Sequence, residues 1–406
     1  MKQFILVVMV CSLSNFVKAQ AFDTCLIMSY NVLNFDYSGN GKEQFLKEVI
    51  DSIHPDILVV QELIELSGAS RFRDSVVLKV DTNYAMGTFI NSFDTDNGIY
   101  FRKDKFGFIS NTVVKTELRD INAFKLQHSL SNEIFYIYSV HLKASSGGTN
   151  ADQRKREVDS LLKVINLLPE DANYMVVGDF NIYDSNEDAY TALIDDSDVG
   201  YFIDPLAGLL TTTWNSASNA PYHTQSTRIE SFGGGSTGGM DDRFDMMLHS
   251  QAIEDEGGMF YLVGSLNEIG NDGAHYNGAM NTMPNGVVSA TLANALYQSS
   301  DHIPLEALYV FEYVLTDTTV DTNLAVISIA KPELKIFPNP VNDLLHISSN
   351  KAIELLSIYN SAGILVMQNE QSFLTEAIVT SKLPSGIYSA VVIIDGLSYR
   401  KLFVKQ

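Results

Sequence analysis

Two stretches of this chain repeat one pattern, and that pattern restricts the fold to the layered α/β kind. In the first, Phe45, Leu46, Val49, Ile50 and Ile53 recur at helical spacing, Pro55 ends the helix, and Ile57-Leu58-Val59-Val60 leads into Gln61-Glu62. In the second, Val158, Leu161, Leu162, Ile165 and Leu168 mark the helix, Pro169 ends it, and Tyr174-Met175-Val176-Val177 leads into Gly178-Asp179-Phe180-Asn181. A continuous apolar run suits a strand covered on both faces, as in a sheet flanked by helices. The duplication predicts two similar halves, with Glu62 and Asp179 emerging at strand ends, where α/β folds place ligand sites.

Further strands are predicted over 26–31, 98–102, 134–141, 244–248 and 305–312. The stretch 204–240, rich in Ser, Thr and Gly, reads as a long irregular excursion, either a substrate-binding loop or a surface insertion. The stretch 254–296 is similarly aperiodic. At 406 residues the chain exceeds one compact core, and its 46% apolar and 19% charged residues fit folded protein rather than a disordered chain. A boundary is expected over 316–331. Beyond it, turn signals at Pro338-Asn339-Pro340, Ser361-Ala362-Gly363 and Asp395-Gly396 separate short strands of a small β-sandwich that carries no cluster of titratable groups.

The start of the chain reads as an export signal over 1–19, with Lys2, an apolar run over 4–10 and Val17-Lys18-Ala19 before the cleavage point. Its removal would leave Cys25 as the one cysteine, so neither an intramolecular disulfide nor a cysteine zinc cage is expected. No other apolar run suggests a transmembrane segment in the mature chain. The net charge of −22 lies upstream of Pro332, because the six Lys and Arg after that point are matched by six Asp and Glu. Such an acidic domain repels polyanions and anionic bilayers yet suits divalent cations.

Six polar pieces stand at predicted strand ends: Ser29-Tyr30-Asn31, Gln61-Glu62, His141-Leu142-Lys143, Gly178-Asp179-Phe180-Asn181, Asp242-Arg243-Phe244-Asp245 and Ser300-Asp301-His302. Each has a plainer reading. Glu62 could be an exposed carboxylate and His302 a structural histidine, but a carboxylate directly after four buried residues is costly unless paired or metal-bound. His54, His128, His249, His275 and His346 show no metal-ligand spacing.

In their order and spacing over some 290 residues, these pieces resemble the endonuclease/exonuclease/phosphatase superfamily, which includes pancreatic-type deoxyribonucleases, abasic-site endonucleases, bacterial sphingomyelinases and inositol polyphosphate phosphatases. The resemblance implies a four-layer α/β/β/α sandwich over 20–315. It makes Glu62 the principal Mg2+ ligand, with Asn31 and Asp301 completing or supporting the shell and Mn2+ or Ca2+ as alternative cations. Asp179 and Asn181 would orient the attacking water and the phosphate. His302, held by Asp245, would act as general base or stabilise phosphate charge, while His141 donates to a phosphoryl oxygen. Asp96 is the candidate carboxylate for orienting His141. Lys143 and Arg228 are candidate phosphate contacts, as are His223 and Gln225, against the plainer alternative that their loop is merely solvated.

The terminal module is similar to the type IX secretion C-terminal sorting domains of Bacteroidetes, through Phe337-Pro338-Asn339-Pro340, Ile358-Tyr359-Asn360 with Gly363, Leu383-Pro384-Ser385-Gly386-Ile387-Tyr388 and Lys401-Leu402-Phe403-Val404-Lys405. It implies an immunoglobulin-like sandwich over 332–406, passage through periplasm and outer membrane by the type IX machinery, and a secreted or surface-attached protein. The leading functional expectation is a metal-dependent nuclease acting on extracellular DNA or RNA. A sphingomyelinase-like or inositol-phosphatase-like phosphoesterase is the alternative on the same scaffold, and a non-catalytic surface binding protein the alternative of another class.

Overall fold

The computed structural model describes residues 19–255, 257–315, 334–360, 365–369, 371–384, 386–394 and 397–405. The predicted signal and linker lie outside these, except for Ala19, which opens the first strand. Among the described residues twelve strands precede the linker: β1 (Ala19–Phe35), β2 (Ile57–Leu63), β3 (Tyr84–Met86), β4 (Asp96–Arg102), β5 (Phe106–Val114), β6 (Ile121–His128), β7 (Ile134–His141), β8 (Asn173–Asp179), β9 (Asp245–His249), β10 (Met259–Tyr261), β11 (Asn267–Glu268) and β12 (Leu305–Leu315). They form one sheet in the order β10-β12-β1-β2-β4-β3, with β11 also on β12, and a second in the order β5-β6-β7-β8-β9.

The predicted duplication is present in the pairing. β1 and β2 run parallel, joined by the helix Glu43–Ile53, and are flanked by antiparallel β12 and β4. β7 and β8 likewise run parallel, joined by the helix Gly148–Ile165, and are flanked by antiparallel β6 and β9. A parallel pair requires such a crossover, which explains why the helical pattern precedes each apolar run. The first helix ends where His54 turns left-handed and returns its N–H to Ile50 O, just before Pro55.

Strand periodicity divides the apolar runs between two cores. Ile57 and Val59 of β2 join Ile137 of β7 and Met175 and Val177 of β8 in the seam between the sheets. Leu58 and Val60 face the opposite side, against Leu46, Val49 and Ile50 of the first helix. Val176 and Tyr138 pack on Val158, Leu161 and Ile165 of the second. The result is the expected four layers, α/β/β/α.

The long stretches differ from expectation. The 204–240 segment is divided: Asp204, Trp214, Asn219 and the run from His223 to Arg228 are buried, while residues 229–238 are exposed, so only part of it is a solvated excursion. The 254–296 stretch contributes β10, β11 and most of the helix Ala290–Ser299, whose Ser289 caps Leu292 N. No helix among the described residues is long and apolar enough to cross a membrane.

The C-terminal unit is all-β, comprising β13 (Lys335–Phe337), β14 (Leu344–Asn360), β15 (Leu365–Asn369), β16 (Phe373–Val379), β17 (Gly386–Ile394) and β18 (Leu397–Lys405). β14 changes partners along its length, from β13 and β16 to β15 and β17, and so wraps a core of Leu345, Ile347, Leu356, Ile358 and Val392. The predicted turns at 361–363 and 395–396 lie outside the described residues.

Candidate active site

The inward-facing rows of both sheets are apolar along the seam and become polar at one end. Asp179 continues the row of Met175 and Val177, His141 that of Ile137 and Ser139, and Asn31 that of Ile27 and Ser29. Register then sets neighbours side by side: His141 opposite Asp179, Asp179 opposite Asp245, and Asn31 opposite Gln61. Gln61 Nε2 donates across the seam to Ser139 Oγ at 3.1 Å, tying the sheets together below the site. Glu62 and Asn181 turn left-handed, with φ of 62° and 51°, a conformation that costs L-residues free energy and recurs where function demands it. Gly178 is required at its position because a Cβ there would lie 2.2 Å from Val140 O.

Glu62, His141 and Asp179 each offer a ligand atom within 4.8 Å of the others. His141 Nε2 stands 3.8 Å from Glu62 Oε1 and 3.7 Å from Asp179 Oδ2. Asn31 lies beside this triad, its Nδ2 donating to Glu62 Oε1 at 2.9 Å and Asp179 Oδ2 at 3.1 Å and so joining the two carboxylates. Asp301 also lies outside this triad, accepting from Ser236 N at 2.6 Å and Gln225 Nε2 at 3.3 Å through Oδ2. Its Oδ1 is buried without a hydrogen-bond partner.

On the other side of Asp179, His302 Nε2 lies 3.6 Å from Asp179 Oδ2, and its Nδ1 contacts Asp245 Oδ2 at 2.7 Å. Asn181 N donates to Asp179 Oδ1 at 3.1 Å, fixing that carboxylate in place. Two residues of the long segment complete the arrangement. Thr224 Oγ1 accepts from Phe244 N and Asp245 N, and the Gln225 carboxamide reaches His302 Nε2 at 2.6 Å.

Burial and charge set the electrostatics. Burial raises the Glu62 pKa, with Asp301 adding to it. Burial likewise raises Asp179, to about 7, with the His302 charge opposing and Asp245 and Glu62 reinforcing the rise. Burial also acts to lower His302, but the carboxylates of Asp245, Asp179 and Asp301 outweigh it and push the imidazole well above its usual value. His141 is driven well down by burial, with Arg119 and His302 contributing. Crowded buried carboxylates, an orphaned carboxylate oxygen and a converging imidazole fit a divalent cation, which would offset both desolvation and mutual repulsion.

Four other candidates have these partners in the structure. His141 Nδ1 meets Thr95 Oγ1 at 3.4 Å rather than Asp96, whose carboxylate accepts from Ser92 N within its own loop. Lys143 Nζ donates to Ala144 O, so its ammonium caps its own loop. Arg228 is 1% exposed, with Nε on Tyr297 O and Nη1 on Phe232 O and Gly234 O; it braces the segment that reaches Asp301. His223 is similarly committed, its ring nitrogens meeting Trp214 O and Met240 O.

The model of the endonuclease/exonuclease/phosphatase family matches residues 28–337, and that of the secretion system C-terminal sorting domain matches 335–406. The chain therefore belongs to the endonuclease/exonuclease/phosphatase family, a family of phosphoesterase hydrolases that depend on divalent metals. No curated protein matches it. Among solved structures, D. rerio TDP2 humanized by 14 mutations aligns with a TM-score of 0.48 at 18% identity, over 70% of this chain and 98% of that one. An endonuclease/exonuclease/phosphatase family protein from Bacteroides thetaiotaomicron aligns at 0.47 and 13%, over 72% and 97%. The human Nocturnin catalytic domain with bound sulfate aligns at 0.45 and 17%, over 72% and 97%.

Proposed function

We propose that the chain is an exported, Mg2+-dependent phosphodiester hydrolase acting on extracellular DNA or RNA. The observation that carries this reading is the convergence of Glu62, His141 and Asp179 beside the His302–Asp245 pair. Glu62, with Asn31 and Asp301 alongside, would hold the cation. When bound, it neutralises phosphoryl oxygens and acidifies water. Mg2+ suits an oxygen-rich site that leaves room for waters, with Mn2+ or Ca2+ as substitutes.

The side chains divide the remaining work. Asp179 Oδ2, facing His302 Nε2, orients the attacking water and receives its proton, and Asn181 holds that carboxylate through its N–H. His302, kept charged by its three carboxylate neighbours, stabilises the negative charge that develops on phosphate. His141, kept neutral by burial, donates a hydrogen bond from Nε2 to a phosphoryl oxygen. The sorting-domain match and the signal-like start support export by the type IX machinery to the medium or cell surface.

The test compares plasmid DNA and single-stranded RNA with sphingomyelin and inositol phosphates, using the full mature chain at one Mg2+ concentration. Cleavage of nucleic acid with the highest kcat/KM is expected. A preference of more than ~10-fold for lipid or inositol phosphate, about 1.4 kcal/mol in transition-state binding, would replace this reading. Hydrolysis of none of them would favour the non-catalytic alternative.

A further inference from the structure

We infer that a polyanionic substrate leaves the catalytic centre along one flank only, over the β5–β6 turn and the helix Gly148–Ile165. This rests on the nucleic-acid reading and adds to it the surface that would hold the strand beyond the cleaved bond.

Charge supplies the first observation. The chain carries 27 Lys and Arg against 49 Asp and Glu, yet residues 103–171 carry ten against nine. The other loops at the catalytic end are acidic: Asp36 follows β1, Glu65 follows β2, Asp184 follows β8, and Asp241 and Asp242 precede β9. A polyphosphate chain held at Asp179 is repelled in those directions.

Position supplies the second. Val114 pairs with Ile121, and Asn122 with Ser139, so the turn between β5 and β6 stands level with the His141 end of β7. Arg119 in that turn donates to Leu142 O at 3.4 Å, directly beside His141. The same turn contributes Lys115, Thr116 and Glu117 to a cavity of about 300 Å3 whose other lining residues, Arg156, Asp159, Ser160 and Lys163, come from the helix. Arg156 and Lys163 are two helical turns apart, ~10 Å along the axis at ~1.5 Å per residue. That distance spans about three phosphates of a B-form strand.

The cations engage neighbouring carboxylates, Arg156 with Glu117 and Lys115 with Asp120. Arg156 and Glu117 are both half exposed. Exposed pairs of this kind contribute little to stability and exchange readily for phosphate. No base edge is addressed, so the track would be indifferent to sequence.

The test reverses three charges, Lys115→Glu, Arg156→Glu and Lys163→Glu, in the full mature chain, with thermal melting to verify folding. Hydrolysis of plasmid DNA and of bis(p-nitrophenyl) phosphate is measured across a salt series with Mg2+. The proposal expects kcat/KM on plasmid to fall at least ~10-fold and its log–log salt slope to flatten by about 0.9 for each phosphate that is no longer neutralised, while the small diester is hydrolysed as before. The Gln triple variant should give a smaller loss in the same direction, and it decides the matter if the reversal misfolds. Plasmid cleavage unchanged in both variants, or equal losses on both substrates, would overturn the track alone. Wild-type enzyme that hydrolyses the small diester but neither DNA nor RNA would overturn the nucleic-acid reading with it.

Discussion

His302 donates from Nδ1 to Asp245 Oδ2 at 2.7 Å, joining residues 57 positions apart in the chain. The bond holds the ring with Nε2 between Gln225 and Asp179, and the Asp245 carboxylate helps to raise its pKa, so the two residues act as a unit. Asp245→Asn and His302→Ala should each lower kcat at least ~10²-fold, the usual scale for such groups. The double variant should be scarcely worse than either single one. Steady-state kinetics on one substrate settles it, and additive losses would show that the residues act separately.

The raised pKa values at the site predict a pH dependence of stability in EDTA. His302 is raised above its unfolded value near ~6.5, so its contribution is complete below that pH and is lost as pH rises through the folded pKa. Asp179, raised from 3.8 to about 7, acts in the same sense: protonation favours the folded form, and that advantage is lost between these values as pH rises. The chelated protein should therefore melt lower at pH 8 than at pH 5, and Asp179→Asn should reduce the difference. Added Mg2+ should raise Tm more at pH 8, where the carboxylates are ionised. Equal Mg2+ shifts at both pH values would contradict this electrostatic picture.

Gln225 touches both Asp301 Oδ2 and His302 Nε2, and single bridge pairs with Asp242 and His302 fix its backbone. Gln225→Ala should depress kcat more than it raises KM, because the amide contacts the reacting side chains. A pure KM effect would assign it to substrate binding alone.

The neighbourhood of Asp245 is braced from behind. Arg243 and Asp204 form two hydrogen bonds of 2.9 Å, fully buried, with Tyr190 donating to Asp204 and the guanidinium over the Trp214 ring. Removing one partner strands the other charge in the interior, so Asp204→Asn should cost ~3–5 kcal/mol in denaturant unfolding. A loss below about 1 kcal/mol would mean that water reaches the site and screens the pair.

Glu62 and Asp179 were legible because each follows an apolar run covered on both faces, and because period two carries the inner row to the strand end. His141 and Asn31 follow from the same rule. Thr95 was missed for its neighbour Asp96, one position away, where residue type favoured the carboxylate and geometry favours the hydroxyl. Thr224 and Gln225 were harder still. Their segment is ordered by distant partners, such as the Asp204–Arg243 pair and the bridge to His302, which leave no periodic trace. β10 and β11, of three and two residues, are too short for periodicity to mark. Charge alone suggested Arg228 and Lys143 as phosphate contacts; in the structure each also donates to nearby backbone carbonyls, which no sequence pattern announces.

The most direct test of a metal-dependent centre at Glu62 is the hydrolysis of bis(p-nitrophenyl) phosphate and plasmid DNA by wild type and Glu62→Gln, each with saturating Mg2+ and after EDTA. Wild type should be active with Mg2+ and silent in EDTA. Glu62→Gln, nearly isosteric but uncharged, should lose at least ~10²-fold in kcat/KM. It should also lose the Mg2+-induced rise in Tm that binding to the folded state confers. Near wild-type turnover in Glu62→Gln at saturating Mg2+, with the Tm shift retained, would contradict the assignment.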